Sequence, residues 1–309
     1  MTIAEVAVRT AADTLALAAG REAVAQPLVP PLAVHLADGL LAPVLEAGRL
    51  QLRIRAEGAV VTTKGDSSPV TRADQESEAI IVAALQRLAP GVPVVAEEAM
   101  YGGDCPIGRE STCSFFLVDP LDGTREYIDN GDDFTINVAL IEGGRPTFGL
   151  VYAPALAELY VTLAPDQTVY AEVAPASSAT SLADLTLRRL QTRAMPVAGN
   201  RTAMISRRDL VGSDDETLLA ELGVAKRVAI GSSLKFCRIA RGDADVYPRR
   251  TSISEWDIAA GHAVLAASGG TVRDLARQDI RYGQNAPNFR TPGFIAAGNA
   301  DMQVDKPQP

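Results

Sequence analysis

Between residues 33 and 52, Leu36, Leu40, Leu41, Val44 and Leu45 recur every three or four positions, which predicts a helix with one buried face. Pro43 inside it predicts a kink or a division. A second helix is predicted over 75–88, with Ile80, Ile81, Ala84, Leu85 and Leu88 on one side and Pro90-Gly91 as its stop. Ahead of it, Thr71 and Asp74 have capping-box spacing. The period then changes. Residues 92–96 and 114–118 are short apolar runs of strand type, and strands over 135–141 and 147–152 flank the hairpin turn Glu142-Gly143-Gly144-Arg145.

Strand and loop signals run to Val173, and a Pro/Ala/Ser-rich stretch follows to Ser181. Beyond it, strand is predicted over 195–199 or 204–206, helix over 217–222, strand over 227–230, helix over 232–241 and strand over 244–247. A helix over 257–268 is closed by Gly269-Gly270. Mixed elements in this order imply stacked helix and sheet layers, an α+β or α/β chain without internal repeats. The Ala-rich residues 1–30, ending in Pro27-Leu28-Val29-Pro30-Pro31, read as an appended helix and linker carrying no chemistry. Three stretches result: an extension at 1–32, one half at 33–180 and another at 181–309.

Hydrophobic residues make up 47% of the 309, enough for a substantial core, and the formal net charge of −9 opposes binding to nucleic acid polymers. A small phosphorylated substrate stays open, because a bound cation reverses the local field. Cys105, Cys113 and Cys237 are odd in number and lack zinc spacing, so they read as free thiols of a reducing compartment. His35 and His262 are far apart, which argues against a histidine metal site. No apolar run reaches the roughly 18–20 residues of a membrane span, and no leader pattern opens the chain, so the cytoplasm is expected.

The acidity is concentrated in one place. Between Asp119 and Asp133, six carboxylates are opposed only by Arg125, which is either a solvated acidic face or a cation site. At its head, Asp119-Pro120-Leu121-Asp122-Gly123-Thr124 follows the strand Phe115-Phe116-Leu117-Val118. Pro120 forces a turn that aims two carboxylates into one space and frees the Leu121 carbonyl, an oxygen donor of the kind Mg²⁺ prefers. Gly123 permits close backbone approach and a positive φ, and Thr124 opens a short helix whose N–H groups suit a phosphate. Glu97 and Glu98 end a strand and serve one pocket only if the strand stops there. Asp257, after the single tryptophan Trp256, is either a helix cap or a ligand. His262 lies about 140° around that helix and reads as a core or hydrogen-bonded residue. The donor set is all oxygen, which suits Mg²⁺ or Mn²⁺ rather than zinc.

With these residues in place, the chain resembles the lithium-sensitive Mg²⁺ phosphatases of the inositol monophosphatase superfamily. Its two signatures are Asp119-Pro120-Leu121-Asp122-Gly123-Thr124 and Trp256-Asp257-Ile258-Ala259-Ala260-Gly261. The resemblance is strongest to the bacterial 3′(2′),5′-bisphosphate nucleotidase branch, the CysQ type, over about residues 37–294. Lys64-Gly65-Asp66-Ser67-Ser68-Pro69-Val70-Thr71-Arg72-Ala73-Asp74, Gly231-Ser232-Ser233-Leu234-Lys235-Phe236-Cys237 and Tyr247-Pro248-Arg249 carry it.

The resemblance implies an α-β-α-β-α layered sandwich with the active site between its halves. It implies two or three Mg²⁺ ions, replaceable by Mn²⁺: one on Glu97, Asp119 and the Leu121 carbonyl, a second on Asp119, Asp122 and Asp257, and a looser third near Glu97. Glu98 and the Asp74–Thr124 pair would orient or deprotonate the attacking water, with the proton acceptor left open between them. Gly123 and Thr124 would grip the phosphate. Ser206, Gly231, Ser232 and Lys235, beside Asp257, would contact the nucleotide, with Lys235 available to its second phosphate and Arg249 and Arg250 able to add positive charge there.

The implied activity is removal of the 3′-phosphate from adenosine 3′,5′-bisphosphate or its 5′-phosphosulfate relative, as in sulfur assimilation. The implied partner is a small nucleotide, and a homodimer is compatible with the resemblance. Two readings compete: an inositol- or sugar-phosphate phosphatase, and a catalytically silent nucleotide binder. Where many members continue the Ser206-Arg207 loop with Ser-His, this chain has Arg208-Asp209, which bears on how the base is held.

Overall fold

A computed structural model describes residues 32–58, 61–63, 69–103, 105–107, 114–207 and 214–298. The expected N-terminal helix, Lys64 to Ser68, Cys113 and Arg208-Asp209 lie outside the described residues.

The chain opens with α1 (Leu32–Glu57), the small strands β1 (Val61–Thr63) and β2 (Pro69–Thr71), and α2 (Arg72–Leu88). Pro43 does not divide α1, which is longer than predicted at both ends. Leu36, Leu40, Leu41, Val44 and Leu45 are buried along it, so tertiary packing holds the helix together across the hydrogen bond that proline removes. Thr71 caps α2 with Asp74 completing the box, which starts the helix three residues before the predicted Gln75.

Next come β3 (Val94–Ala96), α3 (Glu97–Tyr101), β4 (Phe115–Asp122), α4 (Thr124–Ile128), β5 (Thr135–Glu142), β6 (Arg145–Ala153), β7 (Glu158–Ala164), β8 (Gln167–Glu172) and β9 (Arg188–Leu190). These seven strands form one sheet in chain order, with β3 and β4 parallel and every later pair antiparallel. The Gly143-Gly144 hairpin turn has φ of 56° and 72°, the paired positive values that match the twist of the flanking strands. The Pro/Ala/Ser-rich stretch ends before β9, so the first sheet closes past residue 181.

A second sheet of five strands has the order β11-β10-β12-β16-β14. It comprises β10 (Arg201–Ile205), β11 (Val224–Ala229), β12 (Val246–Arg249), β14 (Thr271–Asp274) and β16 (Phe294–Ala297). Its strands are interleaved with α5 (Asp214–Glu221), α6 (Leu234–Ala240) and α7 (Glu255–Ala266), while β13 (Ile253–Ser254) pairs with β15 (Arg290–Thr291). Of the two predicted alternatives near residue 200, only the second overlaps a strand.

The strands of the first sheet are apolar on both faces because helices cover both. Phe116, Val118, Ile136, Val138 and Leu150 pack under α1 and α2. On the other face, Phe115, Leu117, Ala139 and Val151 meet Phe236, Ile258, Ala259 and Val264 of α6 and α7. Those two helices also contact Tyr247, Phe294 and Ala296 of the second sheet. Leu219 of α5 packs with Ala203, Val246 and Ala297 on its far side. The order helix, sheet, helix, sheet, helix is the predicted layered sandwich. No helix among the described residues is long and apolar enough to cross a membrane.

Candidate active site

The site is built where β4 departs from regular pairing. The chain was expected to leave the sheet at Pro120, but β4 continues to Asp122. Asp119 stands opposite Asn137 and Asp122 opposite Thr135, so three steps along β4 match two along β5. The extra residue makes a bulge, which spares the ladder the donor that proline lacks and bends the strand. Gln51 Nε2 donates to the Pro120 carbonyl at 2.7 Å, and Leu121 packs with Leu50, Ile54, Tyr127 and Phe134 beneath the bulge. Gly123 then takes φ +91°, where a Cβ would sit 3.0 Å from the Asp133 carbonyl oxygen. Thr124 begins α4 as predicted.

Four carboxylates from distant stretches meet at this bulge. Glu97 arrives because β3 stops at Ala96 and α3 begins. The buried Glu78 on α2 holds that helix start, its two oxygens accepting the Glu98 N–H at 2.7 Å and the Ala99 N–H at 2.9 Å. Asp257 comes from the first turn of α7, whose N-cap is Ser254, so the capping role allowed for Asp257 belongs to another residue. Asp119 is buried; its Oδ1 accepts the Leu121 N–H at 3.0 Å. The carboxyls of Glu97 and Asp257 stand close enough to its own to act on it directly. Asp122 Oδ2 accepts the Ser233 N–H at 2.6 Å and an Asn137 amide N–H at 3.3 Å.

Burial is the first cause that raises Asp119 well above the usual carboxylate range, followed by repulsion from Glu97, Asp122 and Asp257. Burial, then Asp122 and Glu97, does the same to Asp257. Burial pushes Asp122 up to about 6, against Lys235 and the Ser233 N–H, which pull it down. Among the described residues no three of these groups stand as a closed ligand cage, although their carboxyls crowd one another. Crowded, desolvated acids with oxygen-only donors are what a hard divalent cation compensates, so the residues fit such an ion.

Beside them, Thr124 Oγ1 lies 3.2 Å from Asp74 Oδ1 and 3.1 Å from the Leu121 carbonyl, the two acceptors open to its single proton. The other oxygen of buried Asp74 accepts the Thr71 N–H at 2.8 Å and the Thr71 hydroxyl at 2.7 Å. Asp74 is thus both a helix cap and the partner of Thr124.

A cavity of about 460 Å³ opens over this group. Glu97, Asp122, Gly123, Thr124, Asp257, Ser206, Gly231, Ser232 and Lys235 all line it, joining nine of the residues singled out in the sequence. Asp119, Leu121, Asp74 and Glu98 do not line it; the first three are buried and Glu98 is partly exposed. Lys235 serves the loop before α6, its ammonium donating to the carbonyls of Ile230 at 3.2 Å and Ser232 at 2.8 Å. That loop is fixed from two sides. Asp133 accepts the Gly231 N–H at 3.0 Å and the Arg207 Nε–H, while the Ser233 hydroxyl donates to Asn137 at 2.7 Å. Burial alone would raise Asp133, but the Arg207 and Gly231 hydrogen bonds outweigh it and hold the group below its ordinary value. His262 stands apart, its Nδ1 2.9 Å from the Tyr282 hydroxyl, in accord with the hydrogen-bonded role expected for it.

Several contributors were not singled out. Glu78 had a visible signal, since it falls four residues after Asp74 on the buried side of α2. Asn137 and Ser233 look like ordinary strand and loop residues. Tyr101, Ser252, Ser254 and Arg290 reach the cavity only through tertiary folding, and Tyr101 meets Trp256 edge-on at 6.5 Å between ring centres.

Residues 32–304 match the inositol monophosphatase family. The chain is 37% identical over 235 residues to the 3′(2′),5′-bisphosphate nucleotidase CysQ of Escherichia coli K12, covering 76% of this chain and 87% of that protein. It is 27% identical over 281 residues to the protein of the same name from Aggregatibacter actinomycetemcomitans, covering 90% and 98%. The solved structure of CysQ from Bacteroides thetaiotaomicron superposes with a TM-score of 0.69 at 28% identity, covering 86% of this chain and 97% of that one. The chain belongs to the inositol monophosphatase family.

Proposed function

We propose that this family member is a Mg²⁺-dependent phosphomonoesterase that removes the 3′-phosphate of adenosine 3′,5′-bisphosphate, and of its 5′-phosphosulfate relative, to leave the 5′-substituted adenosine and phosphate. The observation that carries it is the convergence of Glu97, Asp119, Asp122 and Asp257 beside the Thr124–Asp74 hydrogen bond, in a chain 37% identical to a bisphosphate nucleotidase.

In this reading Glu97, Asp119, the Leu121 carbonyl, Asp122 and Asp257 hold two or three Mg²⁺ ions, or Mn²⁺ in their place. The ions, when bound, neutralise phosphate charge and acidify water. Thr124 Oγ1 accepts a proton from the attacking water as its own proton passes to Asp74, or Glu98 takes that proton; backbone N–H groups of Gly123 and Thr124 hold the phosphate. Gly231, Ser232 and Ser206 border the nucleoside, and Trp256 and Tyr101 supply an aromatic wall. The half at 33–180 provides the metal-holding bulge. The half at 181–309 provides the substrate loop and Asp257 through α7, which packs directly on the first sheet.

A phosphate-release panel tests this. Adenosine 3′,5′-bisphosphate is expected to turn over far faster than inositol 1-phosphate, with activity lost in EDTA and inhibited by Li⁺. A reversed ranking would move the protein to the inositol- or sugar-phosphate phosphatases. Nucleotide binding without turnover of any substrate would make it a silent binder.

A further inference from the structure

We propose that Arg290 reads the second, 5′-side anionic group of the substrate, and so decides the preference for bisphosphates over monophosphates; this rests on the nucleotidase reading above.

A substrate with two phosphates brings a second charge that the metal-binding carboxylates cannot serve. The cavity must therefore hold a cation away from them. Lys235 does not stand ready for that role, because its ammonium donates to two carbonyls of its own loop and its charge is set against Asp122. Arg249 faces Asp257, whose negative charge it offsets.

Arg290 differs. It is exposed, lines the same cavity, and pairs with no carboxylate among the described residues. Its guanidinium is nonetheless fixed by three hydrogen bonds: Nε to Ser252 Oγ at 3.2 Å, a terminal nitrogen to the Ser252 carbonyl at 2.9 Å, and the other to Ser254 Oγ at 3.1 Å. Of its five N–H donors, about two remain for a ligand. They belong to a planar fork of the kind that grips phosphate through two bonds at once.

The scaffold behind it is equally specific. Arg290 and Ser254 stand opposite each other where β13 pairs with β15, and Ser254 is the N-cap of α7. Its hydroxyl makes no cap bond to that helix and accepts from Arg290 instead. The arginine is thus tied to the segment that delivers Asp257, which sets a constant span between the second anion and the reaction centre. An arginine held in one conformation loses little rotamer freedom on binding, so its hydrogen bonds convert efficiently into affinity. Arg125, which also lines the cavity, is the alternative cation and serves as the comparator.

The test is the ratio of kcat/KM for adenosine 3′,5′-bisphosphate to that for adenosine 3′-monophosphate, measured in the Mg²⁺-loaded wild type, R290M and R125M. In R290M this ratio is expected to fall about 10- to 100-fold, mainly through KM, because a charge-assisted pair made equally in ground and transition states is lost. A loss of fold in R290M would lower both substrates together and leave the ratio alone, and R290K, which keeps charge without the fork, should recover only part of it. An unchanged ratio in R290M, or a collapse in R125M alone, would overturn the proposal. The nucleotidase reading fails separately, if wild-type protein prefers inositol 1-phosphate.

Discussion

Asp119 concentrates the chemistry of the site at the scale of one residue. It touches Glu97 and Asp257 through its carboxyl and anchors the bulge through the Leu121 N–H. Replacing it by Asn keeps the size and the bulge contact but removes the charge a cation would share. D119N and D257N are each expected to lower turnover by more than about 100-fold, beyond the 10- to 100-fold usual for groups that only orient a ligand. A cation that binds the folded state alone also raises its stability by mass action. Melting of the wild type should therefore rise with added Mg²⁺ and return in EDTA, whereas D119N should show little Mg²⁺-dependent shift by calorimetry. Thr124 makes a second residue-scale case. T124A removes the hydroxyl that bonds Asp74 and should cost about 10²–10⁴ in kcat, while T124S should retain most of it. Stopped or continuous phosphate release measures both.

At the scale of elements, α7 is the member that packs against both sheets and carries Asp257 into the candidate site. Its first turn carries Asp257, and its middle lies on β6 so closely that a Cβ on Gly149 would come within 2.3 Å of the Ala260 carbonyl oxygen. Since the obstacle is backbone, no side-chain rotation relieves it. G149A should push α7 off the sheet, destabilise the fold by about 1–3 kcal/mol or more, and lower kcat through the displaced Asp257. Denaturation and activity of the same variant check both effects; a neutral G149A would show that the helix does not need this approach. The capping box on α2 and the Gly143-Gly144 turn could be read from the chain because both are local: a few consecutive residues decide them. The continuation of β4 beyond Pro120 could not, because it depends on Asn137 and Thr135 of β5 accommodating an extra residue.

Across the whole molecule, five layers bury both sheets, and groups caught between layers respond to pH. His262 lies on α7 against Tyr282, near Arg145 and Asp279. Burial lowers its pKa from 6.5 to about 4, a shift that Asp279 opposes and Arg145 assists. The unfolded chain therefore takes up a proton below about 6.5 that the folded protein refuses until about 4. The sign follows: stability is complete above that window and is lost as pH falls through it, by roughly 1–2 kcal/mol at pH 5 from this group. Urea unfolding at pH 7.5 and 5 should show the loss, and H262N, which keeps a polar atom facing Tyr282 without the titration, should lose less.

By itself the sequence determined what depends on neighbours along the chain: helical and strand periodicity, the cap at Thr71, the positive φ at Gly123, and the type of donor in the two signatures. Those local patterns reached stacked helix and sheet layers and an all-oxygen donor set; the five-layer order and the residues proposed to hold metal came from the family resemblance. Tertiary structure alone decided that Glu78 would anchor the start of α3, that Asp133 would hold the loop at Gly231, and that Arg290, thirty-three positions after Asp257, would face the same cavity. The physical reason is that a hydrogen bond between distant residues leaves no periodicity in either segment, so only the packed layers can bring its partners together.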